Sequence, residues 1–412
     1  MTDQQSGGLL VRGIGRLTTN DPQRDGVTGV VRDAAVVAEG GVVRWAGTER
    51  DLPGGLGDMA ELDVGGAAVV PGFVDAHTHV VFAGDRAGEF ERRLGGEPYE
   101  DTLASGGGIM ATVAATRAAD DRRLFDESRR RLALMLAAGT TTAEVKSGYG
   151  LDVATERRIL ETAAALDAAL PIDLVPTFLG AHAVPPEWRD DRAGFLDLVV
   201  GEMLPACAPL GRFADVFCDR GAFTVDEARR VLKAARAHGL EPRLHADQLA
   251  ATGAAGLAAE LGAVSADHLD RASDYDLRAM ATAGVVGVLL PGVSLSMRLP
   301  YPDPARLRDA GVTIAIATDA NPGTSYVLTM PFVIALAVLE MGMAPDEAVW
   351  SATRGGALAL QMPDRGVIIP GAAADLVVLD ADTPAALAYR PDSPLVATVV
   401  KRGTIVADRT DG

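Results

Sequence analysis

Two histidines one residue apart, His77 and His79, end the short apolar run Pro71-Gly72-Phe73-Val74-Asp75-Ala76. Side chains of a β-strand alternate between faces, so this pair points one way, with Asp75 behind it. Two imidazoles at one strand end supply half of a site for zinc or iron. The chain has six histidines, and His182, His245 and His268 also sit at or near the ends of apolar runs. The sixth, His238, closes the helix-like stretch Val231 to Gly239, where a ring cation suits the dipole and glycine suits the cap. Asp319 follows a further apolar run and opens Asp319-Ala320-Asn321-Pro322-Gly323-Thr324. With His77, His79 and His245 it makes a three-histidine, one-carboxylate set able to hold one divalent ion per chain, zinc or iron. Such an ion acidifies water and polarises a carbonyl, so the chemistry to expect is hydrolysis. His268 is then free to hydrogen-bond the substrate carbonyl or the attacking water.

These residues need elements that gather them. Eight runs read as strands: Val69 to Val74, Thr140 to Lys146, Ile172 to Leu179, Ala214 to Cys218, Pro242 to His245, Ala263 to Ala266, Val285 to Leu290 and Thr313 to Thr318. Between them, apolar residues recur at three- and four-residue steps, as in Leu124 to Ala138, Ala154 to Ala169, Val225 to His238, Ala254 to Glu260 and Asp274 to Ala283. Thr224 before Val225 is a plausible N-cap, and Gly139 ends the helix before it. Eight strand–helix units argue for an α/β fold, a (β/α)8 TIM-like barrel with its chemistry at the C-terminal strand ends, where the histidines fall. A doubly wound sheet is the alternative, but it has no reason to spread ligands over so many strand ends. We expect the catalytic barrel over 69–365. Short strand patterns with Gly-rich turns in 1–68 and 366–412, among them Leu9 to Arg12, Ala34 to Val37, Gly366 to Ile369, Asp375 to Leu379 and Thr398 to Lys401, are expected to combine into one small β-sandwich, since neither half holds a core of its own.

Composition bounds the partners. A net charge of −18 speaks against nucleic acid and anionic membranes, and an anionic substrate would need a local basic group. Cys207 and Cys218 are the only cysteines and form no CxxC pair, so neither a disulfide framework nor a thiolate metal site is expected. The first residues lack the basic and apolar regions of a signal peptide, and no uninterrupted apolar stretch reaches membrane-spanning length, so a cytoplasmic protein is expected.

The order HxH after strand one, His after strands five and six, and Asp after strand eight resembles the amidohydrolase superfamily. Within it, longer stretches look like the imidazolone-ring hydrolases of histidine degradation. They are PGFVDAHTHVVFAGDRAGEF from Pro71, AEVKSGYGL from Ala143, TFLGAHAVPP from Thr177, LHADQL from Leu244, SADHL from Ser265 and ATDANPGT from Ala317. The likeness spans the barrel and reaches Ala373 to Val377. The HxH alone is shared by many cyclic amidases and deaminases, whereas the segments around Arg86, Tyr149 and His182 are far more specific.

That resemblance implies opening of the ring of 4-imidazolone-5-propanoate by water, giving N-formimino-L-glutamate. Arg86 offers a forked, permanent charge for the substrate carboxylate. Tyr149 can stack on a flat ring and donate its hydroxyl, and His182 is a neutral hydrogen-bonding partner for the ring or its carbonyl. Asn321, Gly323 and Thr324 are placed to line the pocket, while also forming a tight Asn-Pro-Gly turn. Gln248 stands where some relatives carry a glutamate. Its amide orients but cannot titrate, so Asp319 is expected as the base and His268 as the group that aligns water and steadies the oxyanion. Lys146 carries a bridging carboxylate in two-metal relatives; here the surrounding motif argues for one metal and a structural or electrostatic lysine. Gly106-Gly107-Gly108 lacks the residues of a phosphate loop, and with Ser105 is expected near the pocket. A homodimer is expected from the resemblance. The alternatives are another cyclic amidase or nucleobase deaminase, which Arg86 and Tyr149 disfavour, and a catalytically dead scaffold, which the complete ligand set disfavours.

Overall fold

A computed structural model describes residues 8–96 and 107–409. Five strands come first: β1 (Leu9–Thr18), β2 (Val30–Glu39), β3 (Val42–Thr48), β4 (Ala60–Asp63) and β5 (Ala68–Pro71). Eight more follow: β6 (Phe73–Asp75), β7 (Thr140–Lys146), β8 (Asp173–Ala181), β9 (Phe213–Cys218), β10 (Glu241–Ala246), β11 (Ser265–His268), β12 (Val286–Leu289) and β13 (Ile314–Ile316). The last three are β14 (Leu376–Leu379), β15 (Val396–Lys401) and β16 (Thr404–Asp408).

Strands from the two ends of the sequence share one mixed sheet, in the order β16-β15-β14-β5-β1-β2-β3, with β4 paired to β1. Its interior is built by Val11, Ile14, Leu17, Val36, Val69, Leu376 and Val400, so neither terminal half closes this core without the other. The expected strand at Gly366 to Ile369 is not one. Gly366 turns at φ +64 with the Thr353 carbonyl against its α-carbon, while Val367 and Ile368 are buried without strand pairing.

The other sheet runs β13-β12-β11-β10-β9-β8-β7-β6, neighbours in chain order. Parallel register sets His245 beside Phe217 on one side and Asp267 on the other. The barrel closes where Thr78 bridges Ala320 in parallel, with the Asp319 N–H donating to the His77 carbonyl and the His79 N–H to that of Ala320, both at 3.0 Å. The run expected as one strand, Val69 to Val74, is two. Val69 and Val70 pair with β14 in the mixed sheet, and Phe73 begins the barrel by donating to the Gly139 carbonyl at 3.0 Å. Glycine is required at the joint, because a β-carbon on Gly72 would lie 2.2 Å from the Thr141 hydroxyl.

The helices match the expected periodicity closely. Val225–Ala237 begins with a full capping box between Thr224 and Glu227 and ends at His238, which is exposed, followed by left-handed Gly239. One continuous helical stretch, Arg192–Leu210, is long and apolar enough by composition to cross a membrane, although Asp197 and Glu202 interrupt its apolar run. Phe195, Leu196, Val199, Met203 and Leu204 along it are buried within the protein. Two compact units are distinguished: residues 1–76, 134–142 and 329–412, and residues 77–133 and 143–328.

Candidate metal centre and active site

His77 and His79 lie just past β6, His245 near the end of β10, His268 at the end of β11 and Asp319 beyond β13. All five belong to the second unit and are at most 3% exposed. His77, His79 and His245 offer ligand atoms within 4.8 Å of one another, and so do His77, His268 and Asp319. One Asp319 carboxylate oxygen is 3.4 Å from Nε2 of both His77 and His79, and His245 Nε2 is 3.4 Å from His79 Nε2. Backbone strain marks the rim: His268, Leu269 and Asp319 hold φ of +77, +66 and +49, a conformation that non-glycine residues keep only where surroundings enforce it.

The rings are aimed from behind. His77 Nδ1 donates to Asp267 at 2.6 Å and His245 Nδ1 to Asp215 at 2.9 Å, which leaves each Nε2 lone pair facing the centre. His77 Nε2 is buried without a hydrogen-bond partner. Burial and neighbouring positive groups hold His77, His79 and His268 well below the usual histidine range, hence neutral. Buried imidazoles beside a carboxylate, two of them with Nδ1 held by an aspartate, are a donor set that fits a divalent ion of the zinc or iron kind.

Beneath this centre is an ionic layer that the sequence reading missed except for Lys146. The Lys146 ammonium sits 2.7 Å from Asp215, 2.9 Å from Glu144 and 3.5 Å from Asp267, all fully buried. Arg243 lies 3.2 Å from both Glu144 and Asp267. The ammonium is kept charged despite burial, its value raised by Asp215 and Glu144, which makes Lys146 a fixed internal cation. The sequence does carry a signal for this layer. Glu144 with Lys146, Arg243 with His245, and Ser265 with Asp267 are each two residues apart in apolar strands, hence on one face.

Of the residues expected to meet substrate, Tyr149 and His182 lie against the histidines. Tyr149 and His182 have ring centroids 5.7 and 5.2 Å from His79, with His182 stacked on it. His182 Nδ1 meets the Gly148 carbonyl at 3.0 Å, and burial depresses this histidine to about 3. The Tyr149 phenol is pushed up by burial and by Asp319, so it stays protonated. Arg86 is engaged by Glu89 through Nε and Nη2; its Nη1 lies against Gly323, where a β-carbon would come within 2.0 Å of it. Arg131 secures the preceding loop, donating to the Val80 and Phe82 carbonyls at 3.0 and 2.8 Å.

Asn321 spends its amide inside its own turn. It accepts from the N–H groups of Gly323 and Thr324 at 2.8 Å each and donates to the Asp319 carbonyl at 2.7 Å. Those groups therefore brace the segment that carries Asp319. Gln248 is partly exposed, on a loop fixed by Asp219, which accepts from Leu249 and Ala250 N–H. Ser105 and Gly106 lie outside the described residues, while Gly108 donates to Glu89 at 2.9 Å and so joins the Arg86 region.

The amidohydrolase family profile matches residues 68–406. The chain is 51% identical to a Streptomyces coelicolor imidazolonepropionase, over 97% of this chain and 99% of that one. It is 49% identical to a Mycolicibacterium smegmatis imidazolonepropionase, over 97% of each. Among solved structures, a zinc-bound adenosine deaminase from Xanthomonas campestris is 20% identical with a TM-score of 0.73, covering 97% of this chain and 92% of that one. An atrazine chlorohydrolase from Arthrobacter aurescens, complexed with zinc, is 18% identical with a TM-score of 0.70, covering 97% and 95%. Those two share the fold, whereas the two imidazolonepropionases match this chain over nearly its whole length at about half identity. The chain belongs to the amidohydrolase family, and within it to the imidazolonepropionases.

Proposed function

We propose that this chain opens the ring of 4-imidazolone-5-propanoate with water to give N-formimino-L-glutamate, the third step of histidine degradation. The observation that carries the reading is the 51% identity to the Streptomyces coelicolor imidazolonepropionase over nearly the whole chain. His77, His79, His245 and Asp319 would hold one divalent ion, zinc or iron. When bound, that ion supplies Lewis acidity, acidifying water and polarising the ring carbonyl.

Asp319, next to both His77 and His79, takes the proton of the attacking water and returns it to the ring nitrogen as the C–N bond breaks. His268 aligns that water and steadies charge on the former carbonyl oxygen. Arg86 holds the propanoate: with Nε and one side of Nη2 given to Glu89 and Nη1 packed against Gly323, the guanidinium donors that Glu89 does not take meet the carboxylate. Tyr149 and His182 flank the ring. Asn321, Gly323 and Thr324 shape the wall by their turn, and Gln248 orients the substrate through its amide.

We further propose 69–365 as the catalytic region and 1–68 with 366–412 as a composite β-sandwich, in a cytoplasmic homodimer with no nucleic-acid or membrane partner. The decay of imidazolone propionate ultraviolet absorbance with purified protein tests the function. Turnover that a chelator abolishes and zinc or iron restores is expected. No turnover of it, with turnover of a nucleobase instead, would overturn the reading in favour of a deaminase.

A further inference from the structure

We propose that Glu156 is a positioning residue that decides how the substrate ring is read: it holds the Gly148–Leu151 turn, and through the Gly148 carbonyl it fixes His182 as a hydrogen-bond acceptor toward a ring N–H. The inference rests on the function proposed above and says which polar group of the ring His182 meets.

Glu156 lies in the first turn of the helix Val153–Ala169, and the protein buries its side chain completely. Its carboxylate has no cationic partner among the contacts described. Instead Oε2 accepts from Gly148 N–H at 2.8 Å, and Oε1 accepts from Gly150 and Leu151 N–H at 2.7 and 2.8 Å. The two amides that flank Tyr149 are thus pinned by one carboxylate, which sets the direction in which the phenol leaves the turn. A buried acid that organises three amides of one loop does more than cap a helix, because Asp152 already caps this one by accepting from Thr155 N–H.

The two glycines of this turn follow from the same arrangement. Gly148 adopts φ +104, and a β-carbon there would come 2.8 Å from His182 Nδ1; one on Gly150 would come 2.5 Å from the Glu156 backbone nitrogen. The close approach of Gly148 delivers its carbonyl to His182 Nδ1 at 3.0 Å. A carbonyl only accepts, so Nδ1 carries the ring hydrogen and Nε2 carries a bare lone pair. His182 stacks on His79, with an interplanar angle of 15° and centroids 5.2 Å apart, which holds the ring beside the ligand cluster. His182 is therefore built to receive an N–H. The imidazolone ring has an N–H to give, and its carbonyl has none, so the carbonyl is left to the groups around Asp319 and His268.

The test combines histidine nitrogen NMR with kinetics on the zinc-loaded protein. With only six histidines in the chain, His182 is assigned by the signal lost in His182→Gln. In the unsubstituted protein a neutral His182 protonated on Nδ1 is expected; protonation on Nε2 overturns the proposal without recourse to any variant. In Glu156→Gln, whose amide repels one of the three N–H groups, a mixed His182 tautomer is expected, with KM raised about tenfold and kcat changed far less. The bound zinc should stay at the level of the unsubstituted protein. An unchanged tautomer and KM in that variant overturns the proposal. Absence of imidazolone turnover in the unsubstituted protein instead overturns the functional reading, while the tautomer measurement, made without substrate, still decides the role of Glu156.

Discussion

Arg86 illustrates how a single side chain carries specificity in an acidic protein. It is paired with Glu89 through Nε and Nη2, so what it offers is a fixed direction more than a strong field. Arg86→Ala is expected to raise KM for imidazolone propionate by roughly ten- to a hundredfold, the scale of one charge-assisted hydrogen-bonded pair of about 1.5–3 kcal/mol, with kcat less affected. Steady-state kinetics checks this, and an unchanged KM would remove the anion clamp. Asp270, two residues past His268, behaves differently. Burial, with Asp219 nearby, raises its carboxyl from 3.8 to about 6. The folded chain then holds a proton that the unfolded chain has released, so this group's contribution to stability falls as pH rises from near 4 through 6. Asp270→Asn is expected to stabilise the protein by about 1–3 kcal/mol at pH 8 and by little at pH 4, read from unfolding midpoints at the two pH values.

At the scale of elements, the barrel strands act as a rack that turns sequence spacing into a layered interior. One layer holds the ligands, and the layer beneath holds Glu144, Lys146, Asp215, Arg243 and Asp267, in mutual contact. Asp267→Asn keeps the shape behind His77 but weakens the hold on its Nδ1, so affinity for zinc is expected to fall about 10- to 100-fold in chelator competition. Wild-type affinity in that variant would show that the His77 ring is fixed by packing alone. Lys146→Met strips the internal ammonium from Glu144 and Asp215, and a loss of roughly 3–5 kcal/mol is expected in urea unfolding, because it leaves buried carboxylates uncompensated. The loop after β10 is held by one carboxylate. Asp247 at the end of β10 accepts from the N–H groups of Thr252, Gly253, Ala254 and Ala255, which fixes the start of the next helix and the loop that carries Gln248.

At the scale of the whole molecule, metal binding and folding are linked. The ligands come from strand ends spread from His77 to Asp319, so an ion that binds them only in the folded barrel must stabilise it, by about 4 kcal/mol at a thousandfold excess over its dissociation constant. Removing the metal is therefore expected to lower the melting temperature, and zinc to restore it; a melting temperature indifferent to metal would refute that linkage. The barrel, the mixing of both termini in one sheet and the clustering of His77, His79, His245 and Asp319 were legible in the sequence, because alternation of period two, helical periodicity and glycine punctuation are local properties of the chain. Local too was the HxH pair, whose spacing alone aligns two rings. What the sequence left undecided depends on partners far along the chain. The break at Gly72 follows from Thr141 standing against it, and the aim of His77 follows from an aspartate 190 residues away. The three uses of Glu156 depend on a turn folding back over its own helix. The sequence by itself determined which chemistry this protein can perform. Only the tertiary structure decided which nitrogen of His77 and of His245 faces it, because that is set by hydrogen bonds to Asp267 and Asp215 across strands that no local pattern records.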